Sequence, residues 1–266
     1  MLFSLLLSLT PNAEAVRYAD VYNLSDLASA SSKIIDGTIE RIEPRMENGR
    51  IISRLYLDVH KTWVGARSSE VYVDVLGGTL DGLTMSVPGG PTFQDGESVL
   101  LFVDQHRLVG FGQGAYAIDG DAATRIASEG LPEEYDVISP EEMLPDEEKA
   151  RNCLETSVWA DYDDDWALRM MDTAHLSPEE YQAYPVTILA GTEYHFQACN
   201  DGQAKDVKLE LVDVEGQTLM RDASAEQQAE LYYKGETSEM LYLIVSASDY
   251  EPRAAQTGVS LSILYR

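Results

Sequence analysis

The densest group of side chains able to do chemistry is Asp161-Tyr162-Asp163-Asp164-Asp165. Carboxylates at D-x-D-x-D spacing can offer oxygen ligands to Ca²⁺, so Asp161, Asp163 and Asp165 are candidate calcium ligands, with Asp172 at the twelfth position of such a loop. Trp166 stands at the sixth position, where the sharp turn wants Gly, and Asp172 replaces the usual bidentate Glu. The spacing therefore allows a loose calcium site on a sandwich rim or, as the alternative, a solvated acidic turn. The four histidines, His60, His106, His175 and His195, stand apart, none within metal-ligand spacing of another. Cys153 and Cys199 belong to no CxxC or Cys/His cluster, which argues against zinc and against thiol–disulfide exchange. In an exported chain they are expected to form one structural disulfide, the alternative being two buried thiols. No GxSxG, HExxH, Walker or Rossmann glycine pattern occurs, and Gly77-Gly78 and Gly89-Gly90 read as turns. No catalytic residue is assigned, the chain is not expected to be an enzyme, and no cofactor beyond calcium is expected.

Composition narrows the partners. In 266 residues, 46 Asp and Glu face 19 Lys and Arg, for a formal charge of −27. Such a surface repels phosphate backbones and anionic lipid, so neither nucleic acid nor membrane insertion is expected. At 44% hydrophobic the chain can bury real cores. Residues 1–15, MLFSLLLSLTPNAEA, combine an apolar run, a Pro11 breaker and a small-x-small site at Ala13-Glu14-Ala15, the pattern of a secretory signal cleaved after Ala15. The run is too short for a membrane-spanning helix, and a secreted, periplasmic or cell-surface location is expected.

Two strand-patterned halves flank an acidic stretch. Residues 16–121 carry strand runs at Lys33–Glu43, Ile51–Trp63, Glu70–Leu76, Leu83–Pro88, Ser98–Asp104 and Arg107–Ala117, with Asn48-Gly49 as a hairpin turn. Five or six strands with Gly-rich turns suggest a small closed barrel or sandwich. An exposed ladder of Tyr56, Tyr72 and Trp63 on it can stack on a ligand; the alternative is ordinary half-buried strand aromatics. Residues 122–152 form an acidic connector. Its Ser139-Pro140-Glu141-Glu142, like Ser177-Pro178-Glu179-Glu180 further on, matches a capping box, predicting two short helix starts. The first predicts a helix to Arg151 interrupted at Pro145. Residues 153–266 resume alternation in seven or eight strands, which suggests a two-sheet sandwich. The fold class expected is all-β: an OB-like barrel, a short helical acidic connector and an antiparallel sandwich.

The order IIDGTIERIE, VHKTWVG, SSEVYVDV, PTFQDGESVLLFVD and RLVGFGQGAYAID over residues 20–120, with its Lys61-x-Trp63-x-Gly65 and Asp95-Gly96-Glu97 turns, resembles bacterial netrin-like domains, the OB-fold class shared with tissue inhibitors of metalloproteinases. That resemblance implies an OB barrel. It departs at the mature terminus, which is Val16 rather than the zinc-binding cysteine of those inhibitors. The stretch AGTEYHFQACNDGQAKDVKLELVDVEGQTL with LYLIVS, over residues 180–265, resembles the bacterial pre-peptidase C-terminal sandwich, which implies a jelly-roll accessory domain of exported enzymes. Together these readings lead to an exported, non-catalytic binding protein that recognises a protein or glycan. The alternative is an accessory or regulator, in one version an inhibitor, of a secreted hydrolase.

Overall fold

The computed structural model describes residues 20–68, 70–127, 131 and 133–266. The expected signal, residues 1–15, and Val16 lie outside the described residues, as do Ser128–Gly130 of the connector. Helix α1 (Leu24–Ser29) opens with Asn23 and Asp26 in a reciprocal capping box, each side chain accepting from the other's backbone N–H at 2.8 and 3.1 Å. Strands β1 (Lys33–Glu47) and β2 (Arg50–Val64) make a long hairpin. Asn48 and Gly49 between them take φ of 49° and 75°, which is what a two-residue turn matched to strand twist requires. There follow β3 (Glu70–Leu76), β4 (Gly78–Leu80), β5 (Leu83–Met85), β6 (Ser98–Asp104), β7 (Arg107–Leu108), β8 (Ala115–Asp119), β9 (Ala122–Arg125) and, after one 3₁₀ turn, β10 (Val137–Ile138).

In the main sheet the order β1-β2-β3-β7-β6 returns to β1, because β6 also pairs with β1. This closes a five-stranded OB-like barrel, with a short parallel β3–β7 contact at Asp74 opposite Arg107. Alternate residues Ile35, Ile39, Leu55, Leu57, Val73, Val99 and Leu101 fill it. Strand β8 adds to β6, and β9 and β10 carry the sheet beyond Asp121. Helix α1 covers a second cluster around Leu100, Phe102 and Tyr116.

Eight strands form the sandwich: β11 (Ala167–Leu176), β12 (Tyr181–Ile188), β13 (Glu193–Asn200), β14 (Ala204–Val212), β15 (Thr218–Arg221), β16 (Gln228–Lys234), β17 (Glu239–Tyr250) and β18 (Thr257–Tyr265). One sheet runs β11-β18-β13-β16 and the other β12-β17-β14-β15, with a single core of inward alternates between them. The chain is therefore all-β apart from its connector and α1.

The connector departs from expectation. Helix α2 (Pro140–Met143) starts at Ser139 without a side-chain cap, and a second, 17-residue helix, α3 (Glu147–Asp163), runs on well past Arg151. Asp146 caps α3, its Oδ1 accepting from Lys149 N at 3.0 Å. The buried residues Ala150, Leu154 and Val158 recur every fourth position and lay α3 on the outer face of the β11-β18-β13-β16 sheet, against Trp166, Cys199 and Leu264. The second capping box, at Ser177, forms only in half and starts no helix: Glu180 Oε2 accepts from Ser177 N at 3.0 Å, but Glu180 N donates to the Ser177 carbonyl rather than to its hydroxyl, Glu179 takes φ of 70°, and β12 begins at once.

Three fastenings hold α3 and the connector. Cys153 and Cys199 form the expected disulfide, with their Cα atoms 6.0 Å apart. His195, 1% exposed, has Nδ1 3.0 Å from Asp161 of α3 and Nε2 3.1 Å from Glu230 of β16, with the Tyr232 ring stacked on it at 3.9 Å. Asp201, in the β13–β14 turn, accepts from the backbone N–H of Asp146 and Gly258, while Gln203 donates to the carbonyls of Glu141 and Leu144. On the barrel side, Lys61 lies 3.1 Å from Glu141 and 3.0 Å from Asp146, Glu147 accepts from Gly65 N, and Arg67 pairs with Glu148. The connector is bonded to both halves.

Candidate functional site

The β1–β2–β3 face of the barrel presents a ladder of flat, stacked groups. Pairing register places Arg41, Tyr56 and Tyr72 in one row across the three strands, and Glu43, Arg54 and Asp74 in the next. Residues two apart share a face, so both rows point outward while Leu55 and Leu57 point in. The Arg41 guanidinium lies 3.6 Å from the Tyr56 ring centroid, and the Arg54 guanidinium 3.7 Å from that of Tyr72. The two tyrosine rings are 6.5 Å apart, and His106, from the β6–β7 turn, stacks on the far side of Tyr72 at 4.1 Å. Two guanidinium groups and three rings thus form one continuous surface.

Charge on this surface is matched internally. Asp74 takes a two-pronged contact from Arg54 at 2.8 and 2.9 Å and a third bond from Arg45 at 2.7 Å, while Arg41 pairs with Glu43 at 2.9 Å. Burial works to raise the Asp74 pKa, but the Arg54 fork and the charge of Arg45 outweigh it and hold the carboxyl below the usual carboxylate value of 3.8. Since the folded value is the lower one, the stabilisation from this pair is complete above the unfolded value and is lost as pH falls through the folded one. The Tyr72 ring resonances are accordingly expected to hold steady, as far as Asp74 governs them, down to about pH 4 and to shift below it. A pH titration by NMR in which Asp74 itself titrates above about pH 5 would contradict this.

Trp63 does not join the ladder. It is 2% exposed and packs in the cluster under α1, with Lys61 Nζ 3.5 Å over its ring. The reason is strand parity: Trp63 lies an odd number of residues from Tyr56, so a period of two sends the two rings to opposite faces. Two of the three aromatics expected on the binding face are brought together, and the third is core. The members that alternation alone did not single out are Arg41, Arg54 and His106. The signal for Arg41 was in the register, since Asn48-Gly49 as the turn places it opposite Tyr56; Arg54 and His106 meet Tyr72 through strand pairing and the barrel's closure.

The candidate calcium ligands are not a loop. Asp161 and Asp163 belong to the last turn of α3, and Asp165 leaves the helix with φ of 67°. Asp161 Oδ2 is engaged by Gln197 Nε2 at 2.7 Å as well as by His195. Among the described residues, no group of three or more His, Cys, Asp or Glu is arranged to hold a metal ion.

No family model matches the chain, and no curated protein sequence matches it significantly. Among solved structures it is similar to the pre-peptidase C-terminal domain of a collagenase from Bacillus anthracis, at 12% identity, covering 36% of this chain and 89% of that domain with a TM-score of 0.30. It is also similar to PliG of Aeromonas hydrophila, a periplasmic inhibitor of g-type lysozyme, at 15% identity, 36% and 85% coverage and a TM-score of 0.26. A third match, the infectious bursal disease virus Gt strain structure, has 10% identity, covers 87% of this chain and 66% of that one, and has a TM-score of 0.23. The netrin-like resemblance of residues 20–120 finds no support in these three.

Proposed function

We propose that the chain is an exported, non-catalytic binding protein and that the β1–β2–β3 face of its barrel recognises a protein partner. The Arg41–Tyr56 and Arg54–Tyr72–His106 ladder carries this reading. Tyrosine and arginine dominate the energetics of protein interfaces, because they bury large flat areas and still offer hydrogen-bond donors. Here they are already ordered by each other and by Asp74, so little side-chain freedom remains to be lost on binding. The disulfide fits an oxidising compartment outside the cytoplasm, and no described helix is long and apolar enough to cross a membrane. Where the partner is a secreted hydrolase, the chain is its accessory or regulator.

Immobilised chain, offered the native secretome and separately cell-wall glycan, tests the partner class. Retention of a protein that is released from a Tyr56→Ala/Tyr72→Ala variant supports the reading. Retention of glycan alone, lost in the same variant, moves the face to sugar recognition, and retention of either one undiminished by the variant removes the face from the account.

A further inference from the structure

The outer face of the β12-β17-β14-β15 sheet is bare where its counterpart is covered. Helix α3 lies across the other sheet, but on this one Tyr181, Ala183, Pro185, Met240, Tyr242 and Ile244 form an apolar patch with no element against it among the described residues. Tyr181, Met240 and Tyr242 are 66%, 44% and 37% exposed. The charged side chains sharing the face pair off as Lys208 with Asp206 at 2.9 Å and Arg221 with Glu210 at 2.8 Å. The face therefore carries no net charge, although the chain after residue 127 holds 30 Asp and Glu against nine Lys and Arg. Patches of this kind on soluble proteins mark contact surfaces.

We propose that this face packs against the same face of a second copy of the chain. The charge distribution selects that occupant. A cationic partner would be steered to the acidic remainder of the molecule, where attraction is strongest. Two copies at −27 each repel except through a face stripped of net charge, so a neutral apolar face is a route by which like can meet like. An apolar face without net charge meets its own copy with no like-charge repulsion, as a two-fold contact of one patch with itself requires. Pro185 on the free edge of β12 lacks an N–H and disfavours strand-to-strand addition, which leaves face-on packing. Four strands of about eight residues span roughly 15 by 27 Å. That is below the ~800 Å² per partner of a standard interface, so the dimer is weak and reversible.

Sedimentation equilibrium of the purified chain should show the mass rising from one chain towards two with concentration, and more readily as added salt screens the remaining repulsion. Tyr242→Glu, and independently Ala183→Arg, should each raise the dissociation constant at least tenfold while the unfolding midpoint stays within a degree or two of the parent. Trp159→Glu, on the exposed side of α3, should leave association unchanged. A mass of one chain at every concentration and salt level would overturn the proposal. So would a dimer that Trp159→Glu breaks and neither face variant weakens, or a monomer whose face is protected from hydrogen exchange only when cell-wall glycan is added.

Discussion

Asp201→Ala should lower the stability of the folded chain by about 4 kcal/mol, and with it the unfolding midpoint by about 10 °C. Asp201 is 1% exposed, and its carboxylate is filled. Oδ1 accepts from Gln203 N at 2.9 Å and Thr257 Oγ1 at 2.7 Å; Oδ2 accepts from Asp146 N at 2.7 Å and Gly258 N at 2.8 Å. Removing the carboxylate leaves three backbone N–H groups and a hydroxyl without acceptors in a site closed to water. Each orphaned donor costs about 1–3 kcal/mol, and partial relaxation keeps the total below the simple sum. The carboxylate also sits at the N-terminus of α3, where negative charge is favoured. Asp201→Asn separates hydrogen-bond count from shape: its amide nitrogen would point N–H groups at N–H groups, so it should recover less than half of the loss. A midpoint for Asp201→Ala within about 2 °C of the parent, by calorimetry or circular dichroism, would mean that this turn does not fasten the connector.

Loss of the Cys153–Cys199 disulfide is the other large effect. The half-cystines are separated by 46 residues, and closing a loop of that length constrains the unfolded chain by about 4 kcal/mol on the chain-entropy model. The observed loss in a Cys153→Ser/Cys199→Ser variant is expected at about 2–4 kcal/mol. Helix α3 keeps its other attachments, with Leu154 and Val158 buried and Asp161 held by His195 and Gln197. Hydrogen exchange should therefore show α3 opening more often than the sandwich strands in the variant, with the β12–β14–β17 core unaffected. Equal acceleration of exchange throughout the sandwich would instead make the disulfide a global staple.

The parts of the fold read in advance are those where one face is wet and the other dry. Tyr184, Val186 and Ile188, like Leu241, Leu243 and Val245, alternate in sequence and are buried in the structure, because a sandwich strand has no other way to hide its apolar side chains. Asn48-Gly49 set both the hairpin and its register, and the register built the ladder. Helix α3 was hidden for the converse reason. Its buried stripe is narrow, Ala150, Leu154 and Val158, within a segment crowded with charge, and its stability comes from packing and from Asp146, Cys153 and Asp161 rather than from a broad amphipathic pattern. The same helix takes in Asp161 and Asp163, which read as part of a turn only while α3 was thought to stop near Arg151. Arg54 and His106 lie far apart in sequence, and only the barrel's closure brings both to Tyr72. The apolar patch on the sandwich hid inside ordinary alternation: Met240 and Tyr242 hold the positions polar residues normally take on an outer strand face.

A recognition surface built on the Arg–Tyr ladder must show itself in the affinity of the partner for a ladder variant. With the captured protein in hand, calorimetric titration against the parent chain and against Tyr56→Ala/Tyr72→Ala should show affinity reduced by about 100-fold or more, the loss of roughly 3 kcal/mol expected when two hot-spot tyrosines are truncated. The variant's unfolding midpoint should stay close to the parent's, because both rings stand on the outer face of the barrel. A partner that binds the folded double variant with undiminished affinity would contradict the account.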